Sequence, residues 1–259
     1  GVARLARDVA DRFAGTAADV LRLAIPPRHA RAEAHPLMER PEPPEDLGAQ
    51  AWHAYLHGAQ YVEALAAGES PRAVLNVLPR HEPERAVAEA VAATLRSGRG
   101  AIVCVPDARD IARWREVFER QLGKEQFVVL TGAQKPADRY KSFLEVSRDQ
   151  VRVVLGTRAA AYAPVHQLGL VVIWDDGDDL FVEPRAPYPH TREVLLTRAT
   201  AEKCAVLIAG HARTAEAQSL VDQGWCAQVG PDQMARRREW PQVTVTDGSE
   251  AGMAPVRLP

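Results

Sequence analysis

From residue 72 onward, short apolar runs alternate with amphipathic stretches, and this alternation constrains the fold of the 259-residue chain more than any other feature. The runs consist almost entirely of Val, Ile, Leu and Ala, as expected of parallel strands that are covered on both faces. Strands that alternate with helices predict right-handed crossovers and one parallel sheet. The predicted strands are Ala73–Leu78, Ala101–Val105, Phe127–Leu130, Val151–Leu155, Leu168–Trp174, Cys204–Ala209 and Cys226–Val229.

The stretches between these runs have the periodicity of helices that pack on a sheet. In one of them, apolar side chains recur at helical spacing at Ile111, Trp114 and Phe118, which predicts a single buried face. We therefore predict an α/β fold, a parallel sheet flanked by helices. The predicted helices are Glu84–Leu95, Asp110–Leu122, Lys135–Val146, Thr191–Ala199 and Thr214–Gln223.

The segments outside this α/β domain differ from it in composition. Short amphipathic stretches at the start predict a helical N-terminal appendage. Six of the 19 prolines lie between Pro26 and Pro44, and proline favours extended backbone, so a linker is expected there, followed by a short helical element at Ala49–Ala67. Gly1 in place of Met indicates a piece of a longer protein. The predicted order is 1–27 for the appendage, 28–71 for the linker and short element, 72–230 for the α/β domain, and 231–259 for a C-terminal linker.

Composition excludes several classes of function. The chain has 32 basic and 34 acidic residues and a formal net charge of −2, so any phosphate binding requires a local basic patch. Its apolar runs fall well short of the ~18–20 residues that cross a bilayer, so no membrane partner is expected. Cys104, Cys204 and Cys226 have neither zinc-site nor disulfide spacing, which favours inert thiols in a cytoplasmic protein.

The turn after the first predicted strand lacks the residues of a phosphate-binding loop. Such a loop needs glycines, whose N–H groups converge on the anion, and a lysine for the outer phosphates. Pro79–Glu84 contains neither glycine nor lysine, and Pro83 has no N–H to donate. We therefore assign no nucleotide-binding, catalytic or metal-binding residues to this chain.

Hydroxyl, amide and guanidinium donors follow two other predicted strands. Gly156-Thr157-Arg158 follows one of them and Thr131-Gly132 follows the strand before it. The carboxyl ends of parallel strands are where ligands bind in such sheets, and donors of these kinds contact phosphodiester oxygens. The predicted DNA-binding residues are Thr131, Gly132, Thr157, Arg158 and Arg185.

A basic stretch supports the same hypothesis. Lys135–Arg158 has six basic and three acidic residues, a local charge of +3 on a nearly neutral protein. This excess favours contact with nucleic acid, and the alternative is an ordinary solvated face.

Four carboxylates lie within five residues at Asp175–Asp179, directly after the strand Leu168–Trp174. Hard cations such as Mg²⁺ bind oxygen ligands of this kind. The alternative is a solvated acidic turn, or carboxylates bonded to nearby arginines and backbone N–H groups.

Five strand-end motifs occur in order along the chain: Val105-Pro106-Asp107, Leu130-Thr131-Gly132, Val154–Ala159, Val171–Asp176 and Ile208–Ala212. Over about Arg72–Val229, they resemble the first helicase lobe of PriA, the family of bacterial replication restart proteins (primosomal protein N′). The Ala- and Arg-rich composition with proline-rich linkers is similar to the actinobacterial branch of that family. Residues 1–27 resemble the end of the family's N-terminal DNA-binding domain, which recognises a 3′ DNA end. The resemblance implies a RecA-like (P-loop NTPase-like) sheet.

The chain departs from the family pattern at three nucleotide motifs. The glycine-rich Walker A loop corresponds to Pro79–Glu84. The family's metal-binding Asp and catalytic Glu fall on Trp174 and Asp175, and its Ser-Ala-Thr motif falls on Gly210-His211-Ala212. Positioning Mg²⁺·ATP needs phosphate donors and a metal carboxylate together, so we expect ATP hydrolysis to be absent or very weak. The family's zinc-binding cysteines belong to a later region, so no cofactor is expected in this chain.

The resemblance implies a DNA-binding component of replication restart, a pseudo-helicase without ATP-driven unwinding. Its expected partners are forked or 3′-ended DNA and primosome proteins, in the nucleoid-associated cytoplasm. The alternative from the residues is a metal-dependent α/β hydrolase or phosphotransferase that uses Asp175–Asp179. A third hypothesis is a protein-interaction module that keeps the fold for packing alone. A motor of this family needs two lobes, so these residues alone are not expected to form one.

Overall fold

A computed structural model describes residues 1–239 of the chain. Within these residues, eight strands form one sheet in the order β1-β8-β2-β7-β6-β3-β5-β4. All neighbours are parallel except β1, which pairs antiparallel with β8. The strands are β1 Tyr55–Leu56, β2 Arg72–Asn76, β3 Gly100–Cys104, β4 Phe127–Leu130, β5 Val153–Gly156, β6 Leu168–Trp174, β7 Ala205–Gly210 and β8 Ala227–Pro231.

The sheet confirms the predicted fold class, and all seven predicted strands are present with small shifts at their ends. The eighth strand, β1, lies inside the segment where only a short helical element was expected. Its two residues pair with Pro231 and Gly230 at the far end of the chain. A strand of this length has no periodicity of its own, so only a partner remote in sequence defines it.

The five predicted helices are also present, and their starts follow local chemistry. Asp107 accepts hydrogen bonds from the N–H groups of Arg109 and Asp110, so α6 begins before the predicted Asp110. The helices are α1 Val2–Arg12, α2 Ala17–Ala24, α3 Ala30–Glu33, α4 Gly58–Ala66, α5 Pro83–Arg96, α6 Ala108–Gln121, α7 Pro136–Ser147, α8 Thr191–Glu202, α9 Ala215–Asp222 and α10 Gln233–Glu239. Residues 240–259 of the predicted C-terminal linker lie outside the described residues.

The sheet is buried on both faces because successive side chains of each strand point to opposite sides. In β6, Leu170 and Val172 join a cluster with α4, α5 and α6. Val171 and Ile173 join a second cluster with α1, α2 and α8. The near-continuous apolar runs of the sequence thus correspond to strands with two dry faces.

The N-terminal appendage packs directly on the sheet. Leu5, Val9 and Val20 are buried in the same cluster as the strand residues Ile102 and Val171. The first two helices therefore cover one face of the α/β domain. The predicted domain bounds stay a prediction.

The proline-rich segment lies against α7 and the β4–β5 side of the sheet. Glu33 accepts hydrogen bonds from Arg28 at 2.9 and 2.7 Å and from the Tyr140 hydroxyl at 2.7 Å, and these bonds lower the pKa of Glu33 to about 2. Further along, the Gln150 side chain donates to the Met38 carbonyl at 3.1 Å. The segment expected to be a linker thus makes specific contacts with the α/β domain.

None of the helices within residues 1–239 combines the length and the apolar character that a membrane span requires.

We predict that Leu5→Ala lowers the free energy of unfolding of the whole described domain by about 2–5 kcal/mol, because it leaves a cavity in the core that the sheet shares. The matched control is Leu37→Ala, since Leu37 is 73% exposed against 5% for Leu5, and we expect a change within about 0.5 kcal/mol. Urea unfolding followed by circular dichroism measures both. If Leu5→Ala left the main transition unchanged, the appendage would unfold independently of the sheet.

Candidate functional site

The turn between β2 and α5 carries acidic residues where a phosphate loop would offer donors. Glu82 caps α5, and Pro83 and Glu84 are its first residues. Glu84 is buried and forms an ion pair with Arg113 of α6. Because the N-terminus of a helix favours negative charge, the carboxylate of Glu84 is stabilised at this end of α5. A buried carboxylate at this point does not favour a phosphate group beside it.

Two backbone N–H groups of the same turn are bonded within the protein. The Tyr55 hydroxyl lies 3.0 Å from Nδ1 of His81 and accepts a hydrogen bond from the Leu78 N–H at 3.3 Å. The N–H of His81 in turn donates to the Leu78 carbonyl at 3.1 Å. These N–H groups are therefore bonded within the protein and do not converge on a ligand.

An aromatic cluster occupies the position where the family pattern has its metal-binding carboxylate. Trp174 is buried, with its ring centroid 5.9 Å from that of Trp114 and 5.2 Å from that of His211. The neighbouring Asp175 has a left-handed backbone, with φ of 56°. Burial raises its pKa, with help from Asp178. An indole cannot ligate Mg²⁺, so Trp174 does not fit the role of the metal-binding carboxylate in the family pattern.

The acidic turn after β6 is held by hydrogen bonds within the protein. Asp176 is buried and accepts from Arg192 at 2.7 Å and from the Thr214 hydroxyl at 2.8 Å. Asp178 accepts from the Leu180 N–H at 2.8 Å. Among residues 1–239, no group of three or more His, Cys, Asp and Glu side chains is arranged to hold a metal ion. The metal-dependent hydrolase or phosphotransferase is therefore not supported, and the alternative of internally bonded carboxylates describes Asp176 and Asp178.

The three cysteines are buried and unpaired. Burial raises the pKa of Cys104 and Cys204 to about 12 and that of Cys226 to about 11. Within residues 1–239 these cysteines belong to no group of three or more potential metal ligands, so they do not fit a four-ligand zinc site.

Four of the five predicted DNA-binding residues line one cavity of about 280 Å³ at the carboxyl ends of β4 and β5: Gly132, Thr157, Arg158 and Arg185. A Cβ on Gly156 would collide with the Leu130 carbonyl, so glycine lets the chain turn sharply from β5 into the single-turn helix Arg158–Tyr162. That turn places Thr157 and Arg158 at the cavity.

The fifth predicted residue, Thr131, does not line this cavity. It is buried, and its N–H donates to the side-chain oxygen of Gln134 at 2.8 Å. The backbone donor expected at Thr131 is therefore already bonded within the protein, and a DNA contact by this residue stays a prediction.

Two more arginines line the cavity, and the sequence did not single them out for it. Arg22 comes from α2 and Arg139 from α7. Arg22 is more than 100 residues away from Gly132 in the sequence, and no local pattern indicates that α2 folds over the end of β5. Arg139 lies in the predicted basic stretch, which was the only indication in the sequence that this residue contributes to a binding site.

The structure divides that basic stretch between several places. Arg152 lies at the start of β5, where Asp149 accepts from it at 2.7 and 2.9 Å. Arg148 donates to the Glu33 carbonyl at 3.2 Å, and Lys141 lies 3.7 Å from Glu145. The basic residues of this stretch therefore lie at different places on the domain, because successive residues of a helix and a strand point in different directions, and a nucleic-acid contact by the stretch stays a prediction.

The cavity has an excess of positive charge. Arg158 donates to the Leu180 carbonyl and lies 3.5 Å from Glu183, the acidic residue of the lining. Arg22 pairs with Asp19. The Arg185 side chain is exposed and makes no hydrogen bond or ion pair within the described part of the chain. This arrangement offers guanidinium and hydroxyl donors to an anion.

A mostly parallel sheet covered by helices on both faces, with these polar motifs at its strand ends, defines a three-layer α/β domain. Solved structures with similar folds include the C-terminal domain of the DEAD-box protein Dbp5, at 11% identity with a TM-score of 0.43 over 63% of this chain and 91% of that one. A hypothetical ATP-dependent RNA helicase from Sulfolobus tokodaii aligns at 12% identity, with a TM-score of 0.46 over 66% of this chain and 51% of that one. No protein-family model matches the chain.

Similarity in sequence to curated proteins is higher than similarity to these solved structures. The probable replication restart protein PriA of Mycobacterium leprae is 44% identical over 253 residues, 96% of this chain and 39% of that protein. That of Mycobacterium tuberculosis (strain CDC 1551 / Oshkosh) is 42% identical over 96% of this chain and 38% of the relative. Replication restart protein PriA of Bacillus subtilis is 25% identical over 62% of this chain and 20% of its own length. Over 96% of its length the chain is homologous to these mycobacterial replication restart proteins PriA, and it spans about 39% of their length.

We predict that Asp176→Asn lowers the free energy of unfolding by about 3–5 kcal/mol, because it leaves the buried Arg192 without its closest countercharge. Asp179→Asn is the matched control in the same turn; Asp179 is exposed, and its replacement should change stability by less than about 0.5 kcal/mol. Thermal and urea unfolding measure both variants. Equal, small effects would mean that the Asp176–Arg192 pair does not hold the turn.

Proposed function

We propose that this chain acts in replication restart as a DNA-binding, non-hydrolysing helicase-like lobe. Its ligand is forked or 3′-ended DNA, its partners are primosome proteins, and its place is the nucleoid-associated cytoplasm. The supporting observation is a contrast between two strand ends. The turn after β2 has neither the glycines nor the lysine of a phosphate-binding loop, whereas the end of β5 has Thr157 and Arg158 in a positively charged cavity.

The absence of ATP hydrolysis is inferred from the residues that stand at the family's nucleotide motifs. Catalysis of phosphoryl transfer consists mainly of positioning and charge stabilisation by phosphate donors and a metal ion. The proposal is supported by two buried side chains at positions that correspond to the family's nucleotide motifs, Glu84 in the first turn of α5 and Trp174 at the end of β6. Neither side chain can ligate Mg²⁺ and donate to phosphate together.

Binding to the DNA backbone requires only side chains that donate hydrogen bonds to phosphate oxygens. Arginine and hydroxyl donors contact phosphate oxygens without reading sequence, and binding of this kind becomes weaker as salt concentration rises because counterions are released. Arg158 is held in place by the Leu180 carbonyl and Glu183. Arg185, without a partner in the described residues, is available to a strand that enters the cavity.

We predict that the purified chain neither binds nor hydrolyses ATP. Addition of ATP with Mg²⁺ should leave the melting temperature unchanged, and forked DNA should not stimulate phosphate release. Both measurements use the wild-type chain, with an ATP-hydrolysing PriA of a relative as the positive control. Robust DNA-stimulated turnover would contradict the proposal.

We predict that Arg158→Ala and Arg185→Ala each weaken binding to forked DNA. Each should flatten the slope of log K against log salt concentration by about 0.9 for every phosphate contact that is lost. Arg120→Ala is the matched control, because Arg120 lies on the exposed side of α6, 3.8 Å from Glu116, and it should leave the slope unchanged. Fluorescence anisotropy at two salt concentrations measures the effect. A wild-type chain that bound no forked, 3′-tailed or blunt duplex would instead favour a protein-interaction module.

A further inference from the structure

The positively charged cavity contains buried polar atoms that have no partner. The Tyr162 hydroxyl and Nε of Arg139 are both shielded from solvent and make no hydrogen bond, and both side chains line the cavity. Tyr162 is 4% exposed, and burial raises the pKa of its hydroxyl. Buried polar groups in folded proteins are nearly always bonded. Two unsatisfied donors in one cavity therefore indicate a ligand with acceptor oxygens.

The charge of the cavity identifies the kind of acceptor. Four arginines line it, Arg22, Arg139, Arg158 and Arg185, against the single carboxylate of Glu183. Asp19 outside the lining offsets Arg22, and Glu183 offsets Arg158. Arg139 and Arg185 form no ion pair within residues 1–239. The surplus is thus about two positive charges, contributed by guanidinium groups suited to phosphate.

We infer that this cavity binds a phosphate monoester group, through the Tyr162 hydroxyl, Arg139, Arg185 and the Thr157 hydroxyl. A phosphate monoester carries about −1.5 to −2 charges near pH 7, which matches the surplus. A phosphodiester carries one charge and is joined to the strand on both sides. A monoester is joined on one side only, so its three free oxygens reach a hydroxyl as deeply buried as that of Tyr162.

In the proposed function, on which this assignment to DNA rests, the monoester is the 5′-phosphate at the end of a DNA strand. A free nucleoside monophosphate has the same chemistry. Two separate measurements distinguish the sources. The comparison of forked DNAs tests the 5′-phosphate of a strand, and binding of a deoxynucleoside 5′-monophosphate tests the free nucleotide.

The test compares two forked DNAs of identical sequence, one with a 5′-phosphate and one with a 5′-hydroxyl. The wild-type chain should bind the phosphorylated fork about tenfold more tightly, since a hydrogen bond to a charged group contributes about this factor. Tyr162→Phe and Arg139→Gln should each remove most of this preference. Glu183→Gln should increase it, because the carboxylate that opposes the anion is lost.

Matched controls separate ligand binding from folding. Tyr188→Phe alters an exposed tyrosine outside the lining, and Lys141→Gln alters a neighbouring base on α7 outside the lining. Both should keep the preference. Tyr162→Phe should not lower the melting temperature, because the hydroxyl that it removes makes no bond in the protein.

The outcomes distinguish this inference from the proposed function. Equal affinity of the wild type for the two forks would overturn the inference and leave DNA binding standing. If neither fork bound, the proposed DNA function would fail. A deoxynucleoside 5′-monophosphate that bound in a Tyr162-dependent way would then still support a monoester cavity, with a free nucleotide as its ligand, and absence of that binding would overturn the cavity as well.

Discussion

Burial of the parallel sheet on both faces is the constraint on which the rest of the structure depends. Helices α4, α5 and α6 cover one face, and α1, α2 and α8 cover the other. Because the helices occupy both faces, the backbone is free for ligands only at the ends of the strands. The turns after the parallel strands β2 to β7 therefore lie along one edge of the sheet, and the five strand-end motifs of the sequence lie there.

Along that edge, side chains of the protein bond and pack with one another at several turns. Buried Glu84 pairs with the exposed Arg113, the Trp174 indole packs against aromatic rings, and Asp176 is bonded to Arg192 and Thr214. Strained or charged catalytic groups commonly lower the stability of an enzyme. Side chains that satisfy one another in this way stabilise the turns at the ends of the strands.

The cavity after β5 shows the opposite trend, because its polar groups are not satisfied by one another. It combines an arginine surplus with a buried tyrosine hydroxyl that has no partner. The net charge of −2 over the whole chain conceals this surplus, because the acidic turn after β6 and the acids at the start of α5 offset it elsewhere. Net charge therefore describes the average of two surfaces with different tasks.

Seven of the eight strands and the five main helices are predictable from the sequence, since each depends on neighbouring residues through apolar runs or helical periodicity. The absence of glycine and lysine from Pro79–Glu84 and the position of Thr157 and Arg158 after a strand are likewise evident from the sequence. The pairing of β1 with β8, the approach of Arg22 from α2 to the cavity, and the bonds from Arg192 and Thr214 to Asp176 depend on the packed structure. Those contacts join residues far apart in the chain, and their geometry comes from how the elements pack, which no local pattern records.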